Sequence, residues 1–261
     1  MKQVFIIFLT IIFLTTLSNA QNIENVKHTY CRKTAEKIII DGSFDESAWS
    51  ITEWIDDFED IRGGGFPKYK TQVKILWDND FLYLAVKFDE PHICAKIDEN
   101  EQQIYLDNAF ELFIDPDCDG RNYYEFEINA NGATWDLQMD KPYRDGGNYN
   151  SNWNINGLKK AISINGTLNN PNDIDSFWTI ELAIPLSAFD EYSNGNRPDE
   201  GTKWKVNFLR VQWYFDIIDG KYVKKTDDKG KQLKSDFWVW SPQKQVNMHI
   251  PERWGVVEIK N

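Results

Sequence analysis

Apolar and polar residues alternate over short stretches of this chain, and clusters of Asp, Asn, Gly and Pro separate those stretches. Period-two alternation sends successive side chains to opposite faces of a β-strand. Residues 72–77 and 81–88 are two such runs, and Asp78-Asn79-Asp80 between them is turn chemistry, so the unit predicts a hairpin. Further strands are predicted over residues 109–115, 122–130, 133–139, 158–165, 177–184, 204–213 and 253–259. Single helical turns are predicted at residues 45–49 and 185–190, and no long stretch keeps a 3.6-residue period. Many short strands between turn signals predict an all-β fold, a single antiparallel β-sandwich of jelly-roll-like form with a few short helical turns.

The first 20 residues have another pattern. Met1-Lys2 is a short basic start, residues 4–17 are apolar apart from threonines, and Ser18-Asn19-Ala20 offers small residues for cleavage. This predicts a signal peptide over residues 1–20, and hence an exported protein, periplasmic or secreted. A retained N-terminal anchor is the alternative. Residues 21–36 are polar and predict a loose lead-in to a single domain over residues 37–261. Residues 62–67 and 140–152, with their Gly and Tyr, suit a rim around a binding face. The charged stretch 216–234 predicts an exposed excursion.

A formal net charge of −12 argues against nucleic acid and anionic membrane surfaces as partners, and no later segment is apolar enough to insert in a membrane. The cysteines, Cys31, Cys94 and Cys118, form no CxxC or Cys/His cluster, and in an oxidising compartment at most one pair among them could close. Aromatic residues make up 15% of the chain. Most rings in a sandwich are core, but the excess favours a surface that receives flat rings with hydroxyl edges, such as sugars.

The candidate chemistry is concentrated in residues 105–132. Glu111, Glu125, Glu127 and Asn129 have the parity to share one face of a hairpin. Glu125 and Glu127 lie about 6.5–7 Å apart at Cα from the strand rise, in the range of glycosidase carboxyl pairs. Exposed or ion-paired carboxylates are the plainer reading. Asp115, Asp117 and Asp119 have the D-x-D-x-D-G spacing of a calcium loop. However, position twelve is Phe126 rather than Glu, so an Asp-Gly hairpin turn is the first reading and structural calcium the second. No G-x-S-x-G or phosphate-binding glycine loop is present.

Six motifs in order resemble carbohydrate-binding module family 9 and its wider group of exported bacterial proteins. They are Ile40-Asp41-Gly42-Ser43-Phe44-Asp45-Glu46-Ser47-Ala48-Trp49, the hairpin over residues 73–86, Asp107-Asn108-Ala109-Phe110-Glu111-Leu112-Phe113-Ile114-Asp115, Tyr124-Glu125-Phe126-Glu127-Ile128-Asn129, Trp178-Thr179-Ile180-Glu181-Leu182-Ala183-Ile184-Pro185, and Trp240-Ser241-Pro242 followed by His249-Ile250-Pro251-Glu252-Arg253-Trp254-Gly255. The resemblance implies a β-sandwich that holds a sugar between aromatic side chains, with structural calcium in some members. It implies Tyr105 as one aromatic wall, Glu111 as a sugar-binding carboxylate and Arg210 as a hydrogen-bonding residue on a late strand. Glu127 stands where the family has a basic residue. The second wall aligns with Met248, beside His249, and Trp240 is a candidate replacement for it.

The expected function is non-catalytic carbohydrate binding in polysaccharide utilisation, through Tyr105, Glu111, Glu127, Arg210, Trp240 and His249. No cofactor is required, the partner is an oligo- or polysaccharide, and separate glycoside hydrolases are candidate partners. A glycoside hydrolase using the carboxylates is the alternative, and an adhesion or scaffold protein the second.

Overall fold

The computed structural model describes residues 26–193 and 195–261. The predicted signal peptide lies outside these residues. Fifteen strands are present: β1 (His28–Lys33), β2 (Glu59–Asp60), β3 (Thr71–Trp77), β4 (Phe81–Asp89), β5 (Ala109–Asp115), β6 (Tyr123–Asn129), β7 (Thr134–Met139), β8 (Tyr149–Asn150), β9 (Lys159–Asn165), β10 (Phe177–Pro185), β11 (Lys203–Gln212), β12 (Phe215–Ile218), β13 (Lys221–Lys224), β14 (Asp236–Val239) and β15 (Gly255–Lys260). One short helix, α1 (Ser47–Ile51), and a 3-10 turn at Leu186–Phe189 match the two predicted helical turns.

A single curled sheet supplies both layers of the sandwich, in the order β8-β7-β6-β5-β11-β15-β1-β3-β4-β10-β9, with β14 added beside β11 and β2 beside β14. The core lies between the halves. Phe110, Leu112 and Ile114 of β5 and Tyr124, Phe126 and Ile128 of β6 meet Val73 and Ile75 of β3, Leu82, Leu84 and Val86 of β4, and Ile180 and Leu182 of β10. Phe88 stacks on Trp178 at 4.4 Å between ring centroids. Each large apolar side chain buried here contributes about 1.5–3 kcal/mol.

The outer face of the β3-β4-β10 layer is covered by the chain leading into α1, through Ile38, Ala48 and Trp49. The Glu181 carboxylate of β10 holds this cover down, accepting from the backbone N–H of Asp41 (2.9 Å) and Gly42 (3.0 Å) and from Trp49 Nε1 (3.0 Å). These contacts explain the Asp-Gly…Trp pattern in chemical terms. Gly42 has φ +90°, and a Cβ there would come within 3.2 Å of Ser163.

Several differences from expectation have local causes. The lead-in contributes β1, because the backbone of this polar segment pairs in parallel with β15 and β3 while Cys31 alone is fully buried. The sandwich therefore has two parallel pairings at its seam among otherwise antiparallel ones. The charged excursion folds partly as a separate hairpin, β12–β13. Cys31, Cys94 and Cys118 are all free thiols. Among the described residues, no helix is long and apolar enough to cross a membrane.

Candidate functional site

β5 and β6 are buried on both faces. Their even-numbered side chains fill the sandwich core, so the odd-numbered ones face outward from the sheet. Register then brings the acids together. Glu111 lies directly opposite Glu127, and Phe113 opposite Glu125. On the next strand Trp135 lies opposite Glu127 and Leu137 opposite Glu125. On the other side Leu209 of β11 lies opposite Glu111. Ala109, Phe113, Tyr123, Leu209, Met248 and Trp254 make a second, smaller core around this outer face.

The result is a pocket of about 410 Å³ with Glu111, Glu125 and Glu127 among its lining residues. Tyr105, Trp135, Tyr143 and Tyr149 supply rings, and Gln103, Asn247 and His249 further polar groups. Tyr105 and Trp135 sit with centroids 6.1 Å apart and planes 33° apart. Trp135 meets Tyr149 edge-on at 6.4 Å, and Tyr143 meets His249 edge-on at 4.5 Å. Tyr143 and Tyr149 come from the loop predicted as a rim.

Each wall is held from behind. The Tyr105 backbone N–H donates to Glu127 Oε2 (2.8 Å), and Trp213 Nε1 donates to the Tyr105 carbonyl (2.9 Å). Trp254 Nε1 donates to the Met248 carbonyl (2.7 Å), and the Asn247 side-chain oxygen accepts from the His249 N–H (2.9 Å). His249 Nδ1 lies 2.8 Å from the Tyr123 hydroxyl.

The electrostatics are dominated by burial. Glu111, Glu125 and Glu127 are 4%, 6% and 2% exposed, and one carboxylate oxygen of each lies within 4.8 Å of the others. Burial pushes the Glu111 carboxyl well above the usual range, and repulsion from Glu125 adds to it. Glu127 is raised the same way, by burial first and then by Glu111 and Glu125. Burial also pushes Glu125 up to about 8. It pulls the His249 imidazole down to about 4, so this ring is neutral at pH 7. Among the described residues, Glu125 Oε2 is buried without a hydrogen-bond partner. His249 Nε2 is 3.8 Å away, beyond hydrogen-bonding distance.

Of the predicted site residues, Tyr105, Glu111, Glu127 and His249 converge on this pocket, joined by Met248. Arg210 and Trp240 do not line it. Leu209 takes the outer face opposite Glu111, so the next residue, Arg210, points to the other side of the sheet. There it pairs with Glu90 (3.0 Å) and donates to the Lys70 and Asp89 carbonyls and to Gln212 Oε1. Trp240 belongs to the sandwich core, 5.6 Å from the Phe208 ring. A Cβ on Gly255 would come within 2.3 Å of the Trp240 ring, which accounts for the glycine after Trp254.

Asp115, Asp117 and Asp119 also approach within 4.8 Å. Their oxygens cap the turn's own backbone: Asp115 accepts from Cys118 N and Gly120 N (both 2.9 Å), Asp117 from Asp119 N (3.3 Å) and Asp119 from Arg121 N (2.7 Å). Bonds of this kind are those of an Asp-rich hairpin turn. The predicted ligand-binding residues do not include Glu125, which is weighed only as a hydrolase carboxylate, Trp135, or Tyr143 and Tyr149 of the predicted rim. Parity already put Glu125 beside Glu127, and pairing the 133–139 strand against it would have added Trp135.

Residues 40–261 match the model of the family described as carbohydrate family 9 binding domain-like. The chain belongs to this family. Among solved structures it is similar to a carbohydrate-binding module family 9 from Caldicellulosiruptor kristjanssonii in complex with cellotriose, at 16% identity and TM-score 0.56, over 90% of this chain and 94% of that one. The module from the same organism in complex with glucose gives 16% identity and TM-score 0.55, over 90% and 96%. A proposed carbohydrate-binding protein from Bacteroides uniformis gives 19% identity and TM-score 0.66, over 90% and 100%. At these identities the likeness is one of fold. No curated protein matches the chain.

Proposed function

We propose that this family 9 member binds carbohydrate without turning it over, in the pocket on the outer face of β5, β6 and β7. The observation that carries the reading is the composition of one concavity. Four rings, Tyr105, Trp135, Tyr143 and Tyr149, stand around three carboxylates in about 410 Å³, within the usual range of small-ligand sites of about 300–1,000 Å³. Ring faces suit the C–H faces of a sugar, and carboxylates suit its hydroxyls. Relatives with this fold are in complex with cellotriose and glucose, which agrees with the reading. With the N-terminal sequence pattern beside it, the proposal extends to an exported protein that serves polysaccharide utilisation beside separate glycoside hydrolases.

Calorimetry with glucose, cellotriose and a panel of soluble polysaccharides tests the proposal. Saturable binding that weakens in Tyr105→Ala supports it, and the absence of binding to every glycan overturns it. Incubation of the same panel with the protein should release no reducing sugar. Release that vanishes in Glu127→Gln would replace binding by hydrolysis as the function.

A further inference from the structure

We infer that the sugar accepted by this pocket carries a protonated amine, seated among Glu111, Glu125 and Glu127. The inference rests on the carbohydrate reading above and names its substrate class.

The charge balance of the pocket comes first. Three carboxylates, each at least 94% buried, share one cluster. Among the described residues, the pocket lining includes no lysine or arginine, and its one histidine is held neutral by burial. Arg210, the buried cation on the neighbouring strand, lies on the other side of the sheet and is committed to Glu90. Buried carboxylates without a counter-charge are costly, and this chain avoids that cost elsewhere. Glu181 has three donors, and Glu90 has Arg210, Gln212 and Asn108.

The second observation is a buried carboxyl oxygen with no hydrogen-bond partner. Among the described residues, Glu125 Oε2 is fully buried without a hydrogen-bond partner while its side chain lines the pocket, and the carboxyl's bond to another acid is the one it shares with Glu127. A hydroxyl could donate one hydrogen to Oε2. A primary ammonium offers three N–H donors and a positive charge, one donor for each carboxylate. Three acceptors about 2.8 Å from a tetrahedral nitrogen stand about 4.6 Å from one another, and the three carboxylates meet within 4.8 Å. The raised carboxyls point the same way, since the cluster relieves its own repulsion by holding protons that a ligand cation would replace.

The rings select an organic cation over a bare ion. Tyr105, Trp135, Tyr143 and Tyr149 line the same pocket. They would stack on the sugar body and attract an adjacent ammonium through their faces. A divalent ion would use the carboxylates and leave the rings unexplained.

Calorimetry at pH 7 on matched ligands tests this: glucosamine against N-acetylglucosamine and glucose, the β-1,4-linked glucosamine trimer against cellotriose, and calcium chloride alone. The amine-bearing member of each set should bind at least tenfold more tightly than its neutral counterparts. That preference should collapse to about twofold or less in Glu125→Gln and in Glu111→Gln, with near-ultraviolet circular dichroism confirming that both variants keep their packing. If neutral sugars bind as tightly as amino sugars, the inference falls and the carbohydrate reading stands. If no sugar of either kind binds, both fall. Calcium binding that depends on Glu125, without preference for the amine, would overturn the inference in favour of a metal site.

Discussion

Glu181 on β10 and the cluster of Glu111, Glu125 and Glu127 on β5 and β6 are carboxylates buried on central strands of opposite layers. Their surroundings differ. Glu181 accepts from two backbone N–H groups and an indole N–H, and so anchors the cover over its layer. Among the described residues, the cluster contains a carboxyl oxygen without a hydrogen-bond partner and lines a pocket without lysine or arginine. Burial raises the pKa in both places, but hydrogen bonds offset it at Glu181, whereas neighbouring carboxylates add to it at Glu111 and Glu127. A buried acid with its own donors holds the fold together. Buried acids that repel one another store unfavourable free energy that a ligand can relieve, in line with the general conflict between stability and binding.

The contrast can be broken most forcefully at the paired end. Arg210→Met leaves Glu90 buried and uncompensated, and it should cost about 3–5 kcal/mol in urea unfolding. Loss of sugar binding with no loss of stability would put Arg210 back in the site. Next, Glu181→Ala strands three donors and should cost about 1–3 kcal/mol per group left unsatisfied and out of reach of water. A neutral result would mean that the cover over β10 is held by packing alone. On the ligand side, Tyr105→Ala should weaken glycan binding about tenfold, or about 1.4 kcal/mol, with little change in the unfolding midpoint. An equal loss of stability would make Tyr105 a core residue.

The pH dependence separates the two classes more finely. The Glu125 carboxyl has a folded-state pKa of about 8 against 4.5 for the free side chain, so between these values the native state holds the extra proton. Its contribution to stability is therefore present below about pH 4.5 and is lost as pH rises through about 8. Glu125→Gln should flatten that decline and raise the melting temperature at pH 8 relative to wild type. A decline left unchanged would remove Glu125 from the titration. The smallest effect belongs to the Asp turn: Asp119→Ala should change stability by within about 0.5 kcal/mol, with or without calcium. A calcium-dependent loss would make that loop an ion site.

Much of the molecule is legible from alternation alone. The strands at residues 72–77, 81–88, 109–115 and 177–184 are found within a residue of their predicted limits. Parity alone placed Glu111, Glu125 and Glu127 on one face. β1 escaped because a polar edge segment pairs through its backbone, which leaves little hydrophobic pattern. Arg210, which the resemblance put beside the ligand, lies outside the pocket, because one residue of offset sends a side chain through the sheet.

By itself, then, the sequence determines that this chain forms short strands, which residues share a face of each strand, and where the acids and rings are concentrated. These are local properties, set by side-chain period and turn chemistry. Only the tertiary structure decides that Glu111 meets Glu127, that Trp135 and the 140–152 loop tyrosines join them, and that Arg210 and Trp240 serve the core. Those outcomes depend on pairing between strands and on which face each layer covers. Both are set by the packing of the whole sandwich, through contacts between residues far apart in the chain.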